Sequence, residues 1–336
     1  MPILLHLFLT LLFLLIIVFC CSLFTNAIEH LGNKLKLGNN ATGAILAAIG
    51  TTLPETIVPL VAIFGSFLLS QDVSVGKEIA QGAIVGSPFM LSTLALFLLG
   101  AVMIFKKQKV LNLQIEDVKR NYRYFIFAFI FVILASFINS FITKVLIAIF
   151  LIVFYIVFAY RTLSKPKCEN GNCELDELCF LKVFKKTNIN YFLIFSQIFF
   201  SLIFLAISSH LFVGEIKYFS NILNINPIIL SFIVTPFATE LPECVNSIIW
   251  LKDNKNDLAM ANIIGAIVFQ ATILSAIGIL LTSWKFDFSS ILGLILTLSC
   301  SSLIFLILLI KKQISRTALL LSGIFYFLYF IYLILK

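Results

Sequence analysis

Apolar residues run through this chain in long blocks, separated by short clusters of polar and charged positions. Blocks near the roughly 20 residues that a helix needs to cross a bilayer fall at 3–27, 40–69, 79–104, 124–141, 145–160, 191–212, 226–250, 258–281, 288–310 and 315–335. The pattern predicts ten membrane helices. Only Asn139 to Lys144 divides the fourth block from the fifth, because Phe125 to Tyr160 is otherwise almost continuous apolar sequence. Fusing those two blocks would give nine.

Charge decides between nine and ten. With ten helices, the loops on one side (28–39, 105–123, 161–190, 251–257 and 311–316) carry 19 Lys and Arg, and those on the other side carry 5. Such asymmetry is what the positive-inside rule demands of a correct topology. Nine helices would put the two most basic loops, 105–123 and 161–190, on opposite faces. Ten helices place both termini on the non-cytoplasmic side of a plasma (inner) membrane. Ten also divides into five plus five, and an odd repeat makes the second half enter from the opposite face. The expected architecture is an all-α membrane protein, ten transmembrane helices as two inverted five-helix repeats with helices 2 and 7 broken. Residues 1–161 form the first repeat, 162–190 a cytoplasmic linker loop and 191–336 the second repeat.

Composition narrows the class further. The chain has 336 residues, 61% hydrophobic and 12% charged, with a mean hydropathy of +1.09. That excludes a soluble domain. The net charge of +8 does not point to nucleic acid, since the basic residues sit in short loops. The first block has no basic leading region and is too long for a signal sequence, so it reads as a retained helix. Phe19 before Cys20 is too bulky for lipoprotein processing. The partners implied are the lipid bilayer and small inorganic cations; oligomeric state leaves no mark in the sequence.

Within the second block, Gly50-Thr51-Thr52-Leu53-Pro54-Glu55 places a proline and a carboxylate at membrane depth. A mid-membrane carboxylate costs about 2.5–3.5 kcal/mol on insertion scales and marks function. Proline removes a donor and frees the carbonyl four residues back, here that of Gly50. Two hydroxyls, a carboxylate and a loosened carbonyl are the oxygen donors a hard cation prefers. The pattern recurs in the second half, position for position, as Ala238-Thr239-Glu240-Leu241-Pro242-Glu243. Paired interruptions in matching halves point to a binding site at the repeat interface. A second echo links Glu78 to Gly86 in the third block with Asp257 to Gly265 in the eighth, each acid standing equally far ahead of its glycine. The acids suit helix starts, and Gly82 with Gly86 forms a face for close helix packing.

At these residues the chain resembles the sodium/calcium exchanger family of cation/calcium antiporters, whose repeats carry Gly-Thr-Ser-x-Pro-Glu followed by Gly-Asn-x-x-Gly-Ser-Asn-x-x-Asn/Asp. The resemblance implies alternating-access exchange of calcium for sodium, without a cofactor, at a site between helices 2, 3, 7 and 8. It implies that Glu55 and Glu243 bridge the ions, that Thr51, Thr52 and Thr239 supply hydroxyls, that Gly50 and Ala238 supply freed carbonyls, and that Ser87 is the third-helix serine. The departures are specific. Glu240 replaces a serine, Ala266 replaces the eighth-helix serine, and Pro88 and Ile267 replace asparagines. At the final Asn/Asp position stand Leu91, which cannot ligate, and Gln270, which can.

Glu240 and Glu243 share a helical face, so three carboxylates converge if Glu55 lies opposite. They cannot all stay ionised without cations, and a proton can then take a sodium position. Proton coupling, or another divalent cargo, is the alternative at the same site. Thr56 and Asn246 are lesser candidates. An intramembrane enzyme is the remote alternative: phosphate chemistry would need cationic side chains, and no His-Glu-x-x-His is present. His6, His30 and His210 fall at membrane edges with no ligand partner. Trp250, Trp284 and the Tyr326–Tyr332 group read as interface anchors. Cys168, Cys173 and Cys179 read as reduced thiols in the linker, and Cys20, Cys21 and Cys244 as packing residues.

Overall fold

The computed structural model describes residues 2–34, 48–68, 73–163, 178 and 190–335. Among them the chain forms ten helices in two inverted repeats of five. The first repeat comprises α1 (Pro2–Lys34), α2 (Ala48–Leu68), α3 (Val73–Phe105), α4 (Ile115–Phe137) and α5 (Phe141–Leu163). The second comprises α6 (Tyr191–Leu223), α7 (Pro227–Lys252), α8 (Asn256–Leu281), α9 (Phe288–Lys311) and α10 (Arg316–Leu335). Nine are long and apolar enough to span a bilayer; the described apolar stretch of α2, Glu55–Gly65, is shorter. Cys168, Cys173 and Cys179, and residues 35–47 ahead of α2, lie outside the described residues.

Helix ends differ from the hydropathy blocks for one reason: polar turns continue helices past the apolar slab. α4 starts at Ile115 with Glu116 and Asp117 in its first turn, where acids favour a helix N-terminus. α6 runs on to Leu223 and stops where Asn224 turns left-handed at φ 52°. The gap between α4 and α5 shrinks to Ile138–Ser140, since the Ser140 hydroxyl and carbonyl accept from the Thr143 and Lys144 amides at 3.5 and 3.2 Å. Lys144, expected in a loop, is instead buried inside α5 and its ammonium donates to the Ser283 carbonyl.

Burial orders the bundle. The apolar windows of α8, α7 and α3 are 72%, 65% and 61% buried, against 17% for α1. The Pro-Glu helix of the second repeat and the two glycine-bearing helices are thus at the centre, and α1 lies at the periphery beside α6. Trp284 is a correction to the interface-anchor reading: it is fully buried and its indole N–H donates to the Val132 carbonyl at 3.1 Å. Gly278 leaves room for that ring, because a Cβ there would strike it. Tyr329 is likewise 1% exposed and packs against Phe89 and Phe232. His6 is paired after all, though with an acid: its Nδ1 lies 2.8 Å from Glu215 and its ring stacks on Tyr218.

Two short strands, β1 (Val110–Leu111) and β2 (Ile314–Ser315), pair antiparallel and tie the α3–α4 loop to the α9–α10 loop. Beside them Lys106 donates to the Leu251 and Lys252 carbonyls and to Asn254 at 2.7–2.9 Å, capping the end of α7.

Candidate functional site

α7 consists of two helical halves, Pro227–Thr239 and Leu241–Lys252. Pro242 has no amide hydrogen and its ring crowds the carbonyl of Ala238, so the helix cannot continue undisturbed. Glu240 takes the break: it sits at φ −94°, ψ −6°, its amide donates to the Pro236 carbonyl at 2.8 Å and its own carbonyl accepts from Cys244 at 3.0 Å. It therefore ends one half and starts the next. Glu243 falls in the first turn of the second half, where the N-terminal dipole favours an acid. The matching segment in α2 is different in backbone, staying helical from Ala48 to Leu68 through Pro54.

The first half of α7 lies directly on α3, and two glycines permit it. A Cβ on Gly82 would collide with the Ile228 carbonyl and the Phe232 amide nitrogen, and one on Gly86 with the Phe232 carbonyl and the Pro236 ring. Pro236 leaves that carbonyl without its helical donor, and Gly86 closes over it. Ser231 adds a direct bond across the seam, its hydroxyl donating to the Ile79 carbonyl at 2.7 Å. Gly265, the counterpart of Gly86, has nothing within 4 Å of a Cβ among the described residues.

Close packing brings three carboxylates together. One oxygen each of Glu55, Glu240 and Glu243 lies within 4.8 Å of the others, and the three residues are 1%, 0% and 0% exposed. Outside the acid cluster itself, neither carboxylate oxygen of Glu55 has a hydrogen-bond partner among the described residues. Glu240 is well supported: Gln270 Nε2 donates to its Oε2 at 3.0 Å, and the Thr239 hydroxyl lies 3.3 Å from its Oε1. Ser87, 1% exposed, faces the same carboxylate from α3. Gln270 keeps its amide oxygen buried and unpartnered beside the cluster. Among the described ion pairs, none neutralises Glu55 or Glu240.

Of the residues singled out in the sequence, Glu55, Glu240, Glu243, Thr239, Ser87 and Gln270 meet here. Gly50, Thr51, Thr52 and Ala238 lie in helix, and their side chains are outside the described residues. One residue escapes the sequence reading. Asn262 of α8 donates from Nδ2 to the Glu243 carbonyl at 3.2 Å and to the Ser247 hydroxyl at 3.0 Å, holding the second half of α7. A signal for it exists, since it stands at the asparagine of the family's Gly-Asn pair. Of the two acids expected at helix starts, one is there and one is not. Asp257 is in the first turn of α8 and also accepts from the Gln114 amide at 2.6 Å, whereas Glu78 lies inside α3.

The backbone carries a symmetry that side-chain patterns do not display. α3 opens into a π-turn at Leu91–Ala95 and α8 into one at Gln270–Leu274. Leu91 follows Gly86 at the same spacing as Gln270 follows Gly265, so the two turns are repeat-related. Single π-turns within α-helices gather at functional sites.

A buried cluster of three acids without a described cationic side chain at Glu55 or Glu240 can hold a small cation and can exchange it for others or for protons. Comparison with known proteins fits this chemistry. The family described as sodium/calcium exchanger protein matches residues 5–163 and 193–336. No curated protein matches the chain. Among solved structures, the crystal structure of the H+/Ca2+ exchanger CAX aligns at TM-score 0.76 and 19% identity, over 98% of this chain and 82% of that one. The sodium-calcium exchanger NCX_Mj, soaked with Na+ and Sr2+, aligns at TM-score 0.61 and 20% identity over 97% of each chain. The same exchanger without Na+ or Ca2+ aligns at 0.57 and 21%.

Proposed function

The chain belongs to the sodium/calcium exchanger protein family, and from that premise we propose that it is a secondary cation antiporter, exchanging calcium for sodium by alternating access at the Glu55–Glu240–Glu243 cluster. The chain is a multi-pass transporter rather than an enzyme. The observation that carries the proposal is the convergence of three buried carboxylates, from both repeats, within 4.8 Å. Calcium takes 6–8 oxygen ligands at about 2.3–2.6 Å. Glu55, Glu240 and Glu243 supply carboxylates, and Thr239, Ser87 and the Gln270 amide oxygen supply neutral donors. In this reading Gly50 and Ala238 add carbonyls, and Thr51 and Thr52 add hydroxyls. No cofactor takes part. The protein lies in the plasma (inner) membrane with both termini outside.

Each cargo ion does for Glu55 what no described side chain does: it compensates a carboxylate held away from water. Bringing such a site past the bilayer midplane empty would leave bare charges in low dielectric, which is strongly disfavoured. Exchange follows, because the cluster turns round only when cations, protons included, neutralise it.

Glu240 favours a second reading. It adds an acid where the family has a serine, while Pro88, Leu91, Ala266 and Ile267 remove neutral oxygens that sodium would use. A proton then replaces sodium as the counter-ion, with calcium or another divalent cation as cargo. Radioactive calcium uptake into proteoliposomes separates the readings. Uptake driven by a sodium gradient at constant pH supports the first, and uptake driven by a pH gradient without sodium supports the second. If neither gradient drives uptake, and Glu55→Gln changes the flux of no cation tested, the antiporter proposal is overturned.

A further inference from the structure

The π-turn in α8 does more than mark a symmetry. Its first residue is Gln270, whose amide reaches Glu240, and its end is fixed by the next residue, Ser275. The Ser275 backbone N–H donates to the Gln270 carbonyl, and the Ser275 hydroxyl donates to the same oxygen at 2.8 Å. Both Ser275 and Gln270 are buried, at 1% and 0% exposure. One serine thus holds with two donors the carbonyl of the residue that contacts the acid cluster.

The equivalent turn in α3 is held differently. Leu96 stands where α8 has Ser275, and Leu91 where it has Gln270. Neighbouring helices secure that turn instead: Cys300 of α9 donates to the Ser92 carbonyl at 3.1 Å, and Ser322 of α10 donates to the Thr93 carbonyl at 2.8 Å. Beyond the Thr93 hydroxyl's bond to the Phe89 carbonyl of its own helix, the α3 turn is braced from outside, and it aims no ligand. The α8 turn is braced from within its own helix and aims one. A π-turn relaxing to α-helix would rotate the preceding residues about the helix axis by a fraction of a turn, which would carry the Gln270 amide off Glu240.

The geometry points to Ser275 as a positioning residue for the cation site: its hydroxyl locks the π-turn that presents the Gln270 amide to Glu240 and to the cargo. The inference rests on the antiporter reading for its effect on transport, but not for its effect on the turn. Ser275 touches neither the acids nor the ion in this assignment and acts through Gln270.

Two measurements on the full-length protein test it. The first is a double-mutant cycle in proteoliposomes with calcium as the probe. Ser275→Ala raises the half-saturating calcium concentration about fivefold, the weight of one net hydrogen bond, with little change in maximal rate. In a Gln270→Ala background it adds nothing, and Ser275→Thr, which keeps the hydroxyl, restores the wild-type value. Equal effects of Ser275→Ala with and without Gln270 overturn the proposal, because a merely structural role would add. The second needs no transport: hydrogen exchange of the Gln270–Ser275 amides in detergent, with no calcium, quickens about fivefold in Ser275→Ala. Unchanged exchange overturns the lock even if the protein transports well. Faster exchange in a protein that moves no cation keeps the lock and removes only the antiporter reading.

Discussion

Glu55 and Glu243 occupy matching places in the two repeats, yet the repeats surround them differently. The first repeat brings Glu55 to the centre on a helix that continues through Pro54, and its carboxylate finds no described hydrogen-bond partner outside the acid cluster. The second repeat breaks at Glu240, whose carboxylate Gln270 and Thr239 reach, and Asn262 reaches the backbone carbonyl of Glu243. Among the described residues, the neutral side-chain support falls on Glu240, the acid that only the second repeat has. Under the proposed reading, a bound cation would partner Glu55, which no described cationic side chain neutralises, and would join the two halves there.

The sharpest way to break that comparison is Glu55→Gln. Calcium flux in proteoliposomes falls at least about a hundredfold, as expected for removing a buried charge from its counter-ion. Thermal stability measured in detergent without calcium stays level or rises, because an uncompensated buried carboxylate has become a neutral amide. Calcium no longer stabilises the variant. A variant that transports normally, or that unfolds sooner in the absence of calcium, would show that Glu55 is satisfied within the protein and that the asymmetry is false.

Much of this plan is legible in the sequence, and the gaps have physical causes. Ten helices, their inverted halves and the meeting of three acids follow from apolar block length, loop charge and a pair of Pro-Glu segments. Helix ends are not legible, because hydropathy registers lipid contact while hydrogen bonding continues into polar turns such as Ile115–Lys119 of α4. Residue type alone assigns Lys144 to a loop and Trp284 to the interface. Their polar atoms in fact reach backbone carbonyls of distant segments, Ser283 and Val132, which no local pattern encodes. The π-turns leave as their trace only the equal spacing of Leu91 from Gly86 and of Gln270 from Gly265. The pairing of His6 with Glu215 joins residues 209 apart in the chain that only the packing of α1 on α6 brings together.

The next test sets one glycine against its counterpart. Gly86→Ala forces a methyl group into the Phe232 carbonyl and the Pro236 ring, and overpacking against backbone costs about 1–3 kcal/mol. Gly265→Ala meets nothing within 4 Å among the described residues and relieves helical glycine entropy, so it is neutral or stabilising by up to about 1 kcal/mol. Chemical or thermal denaturation in detergent reads both. Equal losses at the two sites would mean that α8 packs as tightly as α3 and that the repeats share one seam.

A smaller loss follows at Asn262. Asn262→Ala removes two donors, one to the Glu243 carbonyl and one to the Ser247 hydroxyl, and should cost about 1–2 kcal/mol of stability. Maximal calcium flux should fall more than half-saturation changes, since Asn262 holds the second half of α7 and contacts no cargo in this assignment. A variant with intact stability and impaired calcium affinity would instead make Asn262 a ligand.

The smallest expected effect is at Thr239, and its size measures how complete the second repeat's scaffold is. Its hydroxyl has one hydrogen to share between the Glu240 carboxylate at 3.3 Å and the Thr235 carbonyl at 3.5 Å. Both distances are long for hydroxyl donors, whose bonds cluster near about 2.7–2.8 Å, so little stability resides there. Gln270 also holds Glu240 at 3.0 Å and remains when the hydroxyl is gone. Thr239→Val keeps the shape and removes the oxygen; stability should change by less than about 0.5 kcal/mol and half-saturation for calcium should rise only about threefold. The same substitution made in Gln270→Ala should cost about tenfold or more, because Glu240 then loses both side-chain supports. If Thr239→Val alone matches the loss in Glu55→Gln, the hydroxyl is a principal cargo ligand, and the second repeat stands as bare before the cation as the first.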